Sequence, residues 1–310
     1  MTSSPDSAMS RPLGRTGMRV FPIAYGLWRF AGTSVAAATA KLQAAMAVGI
    51  NLFDIADVYG YDGHSGFGDA EELLGRVFAA TPSLRTDMIL ATKGGVDPGV
   101  PYNSGGTYLV DACEDSLQRM RTDYVDLYQV HRPDLLAHPE EVAAALSRLY
   151  RDGKIRAVGV SNYAPSQVDA LQRFLDLPLA THQPEISPWR LDPFFDGVLD
   201  QCMRMQMTPL AWSPMAAGLL AISPAKAREE KQPARLVALL ECLDRVAADH
   251  GCDRGAVVLA FLLSHPAGIV PIVGTQRVER IQRAVEALSV ELPRQEWYEI
   301  VQASMGTRLP

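Results

Sequence analysis

The 310-residue sequence predicts an α/β chain folded as a single (β/α)8 TIM barrel. Three observations carry that reading. Short runs rich in β-branched and aliphatic residues recur about every thirty residues. Amphipathic segments of helical period fill the intervals, and strand alternating with helix is the pattern of a parallel sheet covered by helices. About eight such units fit the length, which suits a closed barrel. A doubly wound sheet would usually carry G-x-G-x-x-G after an early strand, and no such sequence occurs.

The strand-like runs lie at Phe21–Tyr25, Ile50–Ile55, Met88–Thr92, Val125–Val130, Ile155–Val160, Leu179–Glu185, Pro209–Trp212 and Gly268–Val273. Residues 1–12 are expected to be a flexible tail ahead of a barrel domain spanning 13–310. Leu13-Gly14-Arg15-Thr16-Gly17 then reads as a turn, in a hairpin that caps the barrel bottom. Between the first two runs, Ser34 to Val48 is Ala-rich, with Leu42, Met46 and Ile50 at helical spacing and Gly49 as the breaker. Asp69 to Ala79 opens with Asp-Ala-Glu-Glu, acid in the first turn as the helix dipole prefers. Thr107 to Met120 and Pro139 to Tyr150 follow the same design, the latter stopped by Asp152-Gly153. Ile222 to Pro233 reads as a long loop after the seventh strand, of the length that often serves function.

Composition narrows the function classes. The chain carries 29 basic and 35 acidic residues, a formal net charge of −6, with 48% apolar residues. Its mean hydropathy is +0.01 and its pI about 5.6, an ordinary globular balance that argues against a nucleic-acid partner. Cys113, Cys202, Cys242 and Cys252 form no C-x-x-C, which fits reduced thiols better than a disulfide scaffold, and no metal site is expected. The polar N-terminus lacks a signal-peptide core, and no apolar run reaches the ~18 residues of a membrane span. A soluble, cytoplasmic protein without membrane partners is the expectation. The phosphate-loop, zinc-protease and serine-hydrolase motifs are all missing from the sequence.

In a barrel the site lies at the C-terminal strand ends. There the second run ends in Asp54-Ile55-Ala56-Asp57-Val58-Tyr59-Gly60, the third in Thr92-Lys93-Gly94-Gly95, and the fourth in Gln129-Val130-His131-Arg132-Pro133-Asp134. Taken singly, a strand-end Lys or Asp is often half of a structural ion pair, and a lone Tyr or His is often core. Four such side chains on adjacent tips point to a site.

FDIADVYG, ILATKGG and VDLYQVHRPD resemble the three catalytic segments of the aldo-keto reductase superfamily, in its bacterial oxidoreductase branch. The similarity continues through VGVSNY, HQPEISP, LAWSPMAAGLL and PIVGTQRVERI, from Leu13 to about Leu288. The resemblance implies NADPH-dependent reduction of aldehydes or ketones, with NADH as the alternative cofactor. Tyr59 would be the general acid, Lys93 its activator, Asp54 the partner of Lys93, and His131 the group that orients the carbonyl. Hydride transfer leaves negative charge on the carbonyl oxygen, which must be protonated or held by donors. A phenol of pKa about 10 passes protons poorly near neutral pH. An ammonium ~4 Å away, at an effective dielectric constant of about 20, contributes ~4 kcal/mol before other costs, enough as an upper bound to move the phenol by roughly two to three units.

By the same resemblance Ser161, Asn162 and Gln183 hold the nicotinamide carboxamide, and Trp212 stacks on its ring where many members have Tyr. Ser213, Met215 and Gly218 follow the pyrophosphate, and Gly26, Trp28 and Asp54 also face the cofactor. Gly274, Thr275, Arg277 and Arg280 hold the adenosine 2′-phosphate, using a helix N-terminus and arginine charge. The sequence departs from the family in three places. Gly274 stands where many members are basic, Gln276 separates Thr275 from Arg277, and His182-Gln183-Pro184 replaces a commoner Asn-Gln-Val/Cys.

Trp28, Tyr59, His131 and Tyr102 are the expected contacts to a small-molecule carbonyl substrate, and Tyr61, Trp189 and Phe194 are further candidates for an aromatic wall. No arginine or lysine declares itself as an anion clamp for substrate. Two other functions compete. One is a barrel aldolase using Lys93 as a Schiff-base nucleophile. The other is a slow-turnover, nicotinamide-sensing subunit resembling potassium-channel β subunits. Oligomeric state leaves no mark on the sequence.

Overall fold

The structure, a computed structural model, describes residues 9–310. Strands β1 (Arg11–Pro12) and β2 (Arg19–Val20) pair antiparallel as a hairpin. Eight further strands follow: β3 (Ala24–Gly26), β4 (Leu52–Asp54), β5 (Ile89–Gly94), β6 (Leu127–Val130), β7 (Val158–Ser161), β8 (Leu179–Gln183), β9 (Thr208–Ala211) and β10 (Val270–Val273). They close into a barrel in chain order, every neighbouring pair parallel, with β10 returning to β3. Each overlaps one of the expected runs.

Helices form where the sequence places apolar residues at helical spacing behind a capping residue. Val35–Ala47 starts at Ser34, whose hydroxyl accepts from the Ala37 N–H. Asp69–Ala80 carries Asp69, Glu71 and Glu72 in its first turn, complementing the helix dipole. Gly106–Met120 and Pro139–Arg151 complete the four expected helices. The stretch expected to be a long loop holds a helical turn, Pro224–Ala227, because Ser223 caps Lys226 and Ala227 is buried.

Side chains facing the barrel axis form layers. The bottom layer is apolar and includes Ala24, Leu52, Ala91, Leu127 and Leu210, and Leu13 and Val20 of the hairpin pack into it. The hairpin therefore plugs the barrel floor. Thr208 stitches it in, accepting from the Gly14 N–H at 2.8 Å and donating to the Pro12 carbonyl at 2.9 Å. Residues 1–8 of the expected tail lie outside the described residues. Arg11 and Pro12, which the boundary at residue 12 assigned to the tail, instead form β1. Arg11 donates to the Ile269 and Leu263 carbonyls at 2.6 and 2.8 Å.

Above the floor the axis turns polar, with Asp54, Lys93, Gln129, Ser161, Thr181 and Gln183 all buried. Gly159 lets this layer close, since a Cβ there would stand 2.0 Å from Thr181 Oγ1. Among the described residues no helix is long and apolar enough to cross a membrane, and no group of three or more His, Cys, Asp or Glu side chains is arranged to hold a metal. The four cysteines are free thiols.

Candidate active site

Strand alternation brings the polar groups to one place. Lys93 pairs with Gln129 in the β5–β6 register, and Asp54 sits level with Gly26 on β3 and Ala91 on β5. Lys93 is therefore two residues beyond the neighbour of Asp54, on the same inward face. Its ammonium donates to Asp54 Oδ2 at 2.7 Å and to the Ile55 carbonyl at 2.8 Å. The same nitrogen lies 4.8 Å from the centroid of the Tyr59 ring, and Tyr59 and His131 meet edge to face at 5.9 Å. The four expected catalytic side chains thus form one contact chain.

Asp54 is held from a second side. Its Oδ1 accepts from Gln183 Nε2 at 2.8 Å, with Gln129 Nε2 farther off at 3.5 Å, while Gln129 Oε1 accepts from Thr181 Oγ1 at 2.9 Å. Gln129 was missed by sequence reasoning, although it sits two residues before His131 and so on the same strand face. A second acidic layer was missed as well. Glu71 accepts from Thr92 Oγ1 at 2.6 Å and pairs with Arg119 at 2.9 Å. Asp57 is fully buried, with one oxygen bonded to the Val58 N–H and the other without a partner.

Electrostatics correct one expectation. Burial raises the Tyr59 phenol above its ordinary 10.0, and although Lys93 pulls it down, Asp54 and Asp57 add to the rise. Tyr59 is therefore a neutral phenol at neutral pH, and the upper bound set by the lysine alone is not reached. Counting the lysine alone omitted the larger cost of placing a phenolate away from water. Burial pulls Lys93 downward, but Asp54 and then Tyr59 more than restore it, so the ammonium stays charged. That state disfavours the Schiff-base reading, which needs a free amine. Burial, then the charges of Lys93 and Arg132, hold His131 neutral well below 6.5. Its Nδ1 is buried without a partner.

On the neighbouring tips, Ser161 Oγ donates to the Gln183 carbonyl at 2.7 Å. Asn162, in the left-handed region at φ 60°, donates to Ser161 Oγ at 2.8 Å and to the His131 carbonyl at 3.3 Å. Its Oδ1 accepts from the Trp212 indole N–H at 2.9 Å. Among the described residues no group donates to the Gln183 amide oxygen, which leaves it free to accept a further hydrogen bond. Beyond Trp212, Ser213, Ala216, Ala217 and Gly218 all have positive φ, which curls the loop containing Met215 tightly. Only Gly218, at φ 100°, adopts such a conformation without a side-chain penalty.

After β10, Tyr25 donates to the Thr275 carbonyl at 3.1 Å, and Arg277 caps a short helix, Val278–Arg283, with Arg277 and Arg280 exposed. Lys41, unmarked in the sequence, holds this loop by donating to Gln276 Oε1 at 2.8 Å. The inserted Gln276 thus has a structural task. Gly26 packs on Ile272, and Gly274 lies against Trp28, which is 53% exposed at the rim. Tyr102 is exposed on the loop after β5, bridged to Val96.

The remaining wall candidates have other partners. Phe194 packs against Phe261, His265 and Trp297 in the outer core. Trp189 lies under Arg235, and Tyr61 bonds to the Gly63 carbonyl. His182, one residue before Gln183, faces the other way and is buried, with the Tyr163 backbone beside its ring.

A closed parallel barrel with this cluster at its strand ends, and the relatives it resembles, make the chain an NAD(P)H-dependent oxidoreductase. The chain belongs to the aldo/keto reductase family, whose sequence profile matches residues 22–304. It is 49% identical over the full length of both chains to a 6-dehydroglucose reductase of Novosphingobium aromaticivorans. It is 38% identical to a protein of the same name from Agrobacterium fabrum, over 92% of this chain and 94% of that one. The crystal structure of a thermostable aldo-keto reductase with the inhibitor epalrestat superposes with a TM-score of 0.78 at 25% identity, over 95% of this chain and 99% of that one.

Proposed function

We propose that the chain reduces aldehydes to alcohols with NADPH in the cytoplasm, and that sugar-derived aldehydes of the 6-dehydroglucose kind are its substrates. The observation that carries the chemistry is the Lys93 ammonium held 2.7 Å from Asp54 and 4.8 Å from the Tyr59 ring. The full-length relative at 49% identity supports the substrate class. Ser161, Asn162 and Gln183 would hold the carboxamide, Trp212 the ring, and Ser213, Met215 and Gly218 the pyrophosphate. Gly274, Thr275, Arg277 and Arg280 would hold the 2′-phosphate. When bound, the cofactor supplies a hydride to the carbonyl carbon.

The protein's own part is to receive the oxygen. Tyr59 enters the reaction protonated and gives its proton to the oxygen as charge develops there. Lys93 then balances the phenolate, and Asp54 keeps that ammonium in place. Neutral His131 orients the carbonyl. Carrying its proton on Nε2, the imidazole would act as the donor to that oxygen.

Two readouts test the reading. NADPH should quench tryptophan fluorescence through Trp212 and Trp28, and adding 6-dehydroglucose should oxidise it. Binding without oxidation of NADPH by that sugar or by para-nitrobenzaldehyde would return the protein to the sensor class. No quenching would sink the cofactor assignment.

A further inference from the structure

Arg132 directly follows His131, half-buried at the rim, with its guanidinium carbon 5.7 Å from the centroid of the Trp212 ring. It makes no ion pair or hydrogen bond with any described residue. By contrast, Arg190 pairs with Glu185 and Asp192, and Arg119 with Glu71. The acid two residues on, Asp134, already accepts from the Ser104 and Leu136 N–H groups. A guanidinium partly withdrawn from water without a carboxylate has lost hydration and gained only a ring face.

Its backbone leaves the site directly. Asn162 bonds the His131 carbonyl, and Trp212 bonds Asn162, so the backbone before Arg132 and the ring beside it belong to one hydrogen-bonded unit. The planar fork matches two adjacent oxygens. We infer that Arg132 is a substrate-binding residue that grips an oxygen-bearing group on the aldehyde away from its reacting carbon, and favours an anionic one, phosphate or carboxylate. The inference rests on the reductase reading.

Matched aldehydes test it. Glyceraldehyde 3-phosphate is compared with glyceraldehyde, and 4-carboxybenzaldehyde with para-nitrobenzaldehyde, under steady-state NADPH oxidation. A charge-assisted bond is worth about 10- to 100-fold, so the wild type should show a KM lower by that factor for the anionic member of at least one pair. The pair that responds identifies phosphate or carboxylate. Arg132→Met should bring the ratio near one, and Arg132→Lys should retain part of it.

A wild-type ratio near one in both pairs, or a ratio unchanged in Arg132→Met, overturns the assignment. So does an Arg132→Met variant whose loss is in NADPH affinity, measured by fluorescence, because the guanidinium would then serve the cofactor. If NADPH is oxidised by none of the four aldehydes, the reductase reading fails first and takes this inference with it.

Discussion

The Lys93 ammonium bonds Asp54 at 2.7 Å in an interior that leaves the two side chains 0% and 3% exposed. Removing one member of such a pair is costly because the other stays buried and charged. Lys93→Met should destabilise the fold by about 3–5 kcal/mol and Asp54→Asn by less, since Ile55 still accepts from the ammonium. Urea midpoints of the two variants check this, and a Lys93→Met protein as stable as wild type would contradict the burial of the pair.

Because burial raises Tyr59 above 10.0, the proton-donating form dominates through neutral pH. Aldehyde reduction should therefore hold steady from neutral to mildly alkaline conditions and fall only above pH 10. Alcohol oxidation needs the phenolate, so it should rise about tenfold per pH unit toward the same pKa. Paired pH profiles check this. A reduction rate already falling near pH 7 to 8 would mean that the phenol is lowered instead.

His182 is buried, and burial pulls its imidazole down from 6.5 to about 4 against the opposing pull of the Tyr163 backbone. Below pH 6.5 the unfolded chain binds a proton that the folded chain refuses, so stability is lost as pH falls through that window. The size is about 3 kcal/mol, from roughly 1.4 per unit. His131 acts in the same direction, so the comparison is with His182→Asn, whose urea midpoint should fall less between pH 7 and 4. Parallel curves would mean that the folded chain does not hold this imidazole neutral.

Gly159→Ala would drive a methyl to 2.0 Å from Thr181 Oγ1, beside the Thr181–Gln129 bond. Overpacking of this kind costs about 1–3 kcal/mol. Because Gln129 lies beside Asp54, kcat should drop along with the urea midpoint. A variant of unchanged stability would show that the layer can give way.

Much of this was legible in the sequence because local rules and the barrel agree. Short runs rich in β-branched and aliphatic residues became strands, and the residues closing them reached one rim by topology alone. What escaped depends on contacts between distant segments. Glu71 reads as an ordinary first-turn acid until Thr92 and Arg119 close on it. Lys41 lies 235 residues from the Gln276 it holds. Arg132 could not be told from a paired surface arginine until it stood over Trp212 with no acid partner among the described residues. The direction of the Tyr59 shift depended on burial, which pairwise charge arithmetic does not contain.

The central claim is that Tyr59 delivers the proton. NADPH oxidation with para-nitrobenzaldehyde, wild type against Tyr59→Phe, tests it most directly, with fluorescence titration confirming that both bind cofactor. General acid catalysis is worth about a hundred- to ten-thousand-fold, so the variant should lose at least a hundredfold in kcat while NADPH affinity holds. Equal rates in the two proteins would remove Tyr59 from the mechanism.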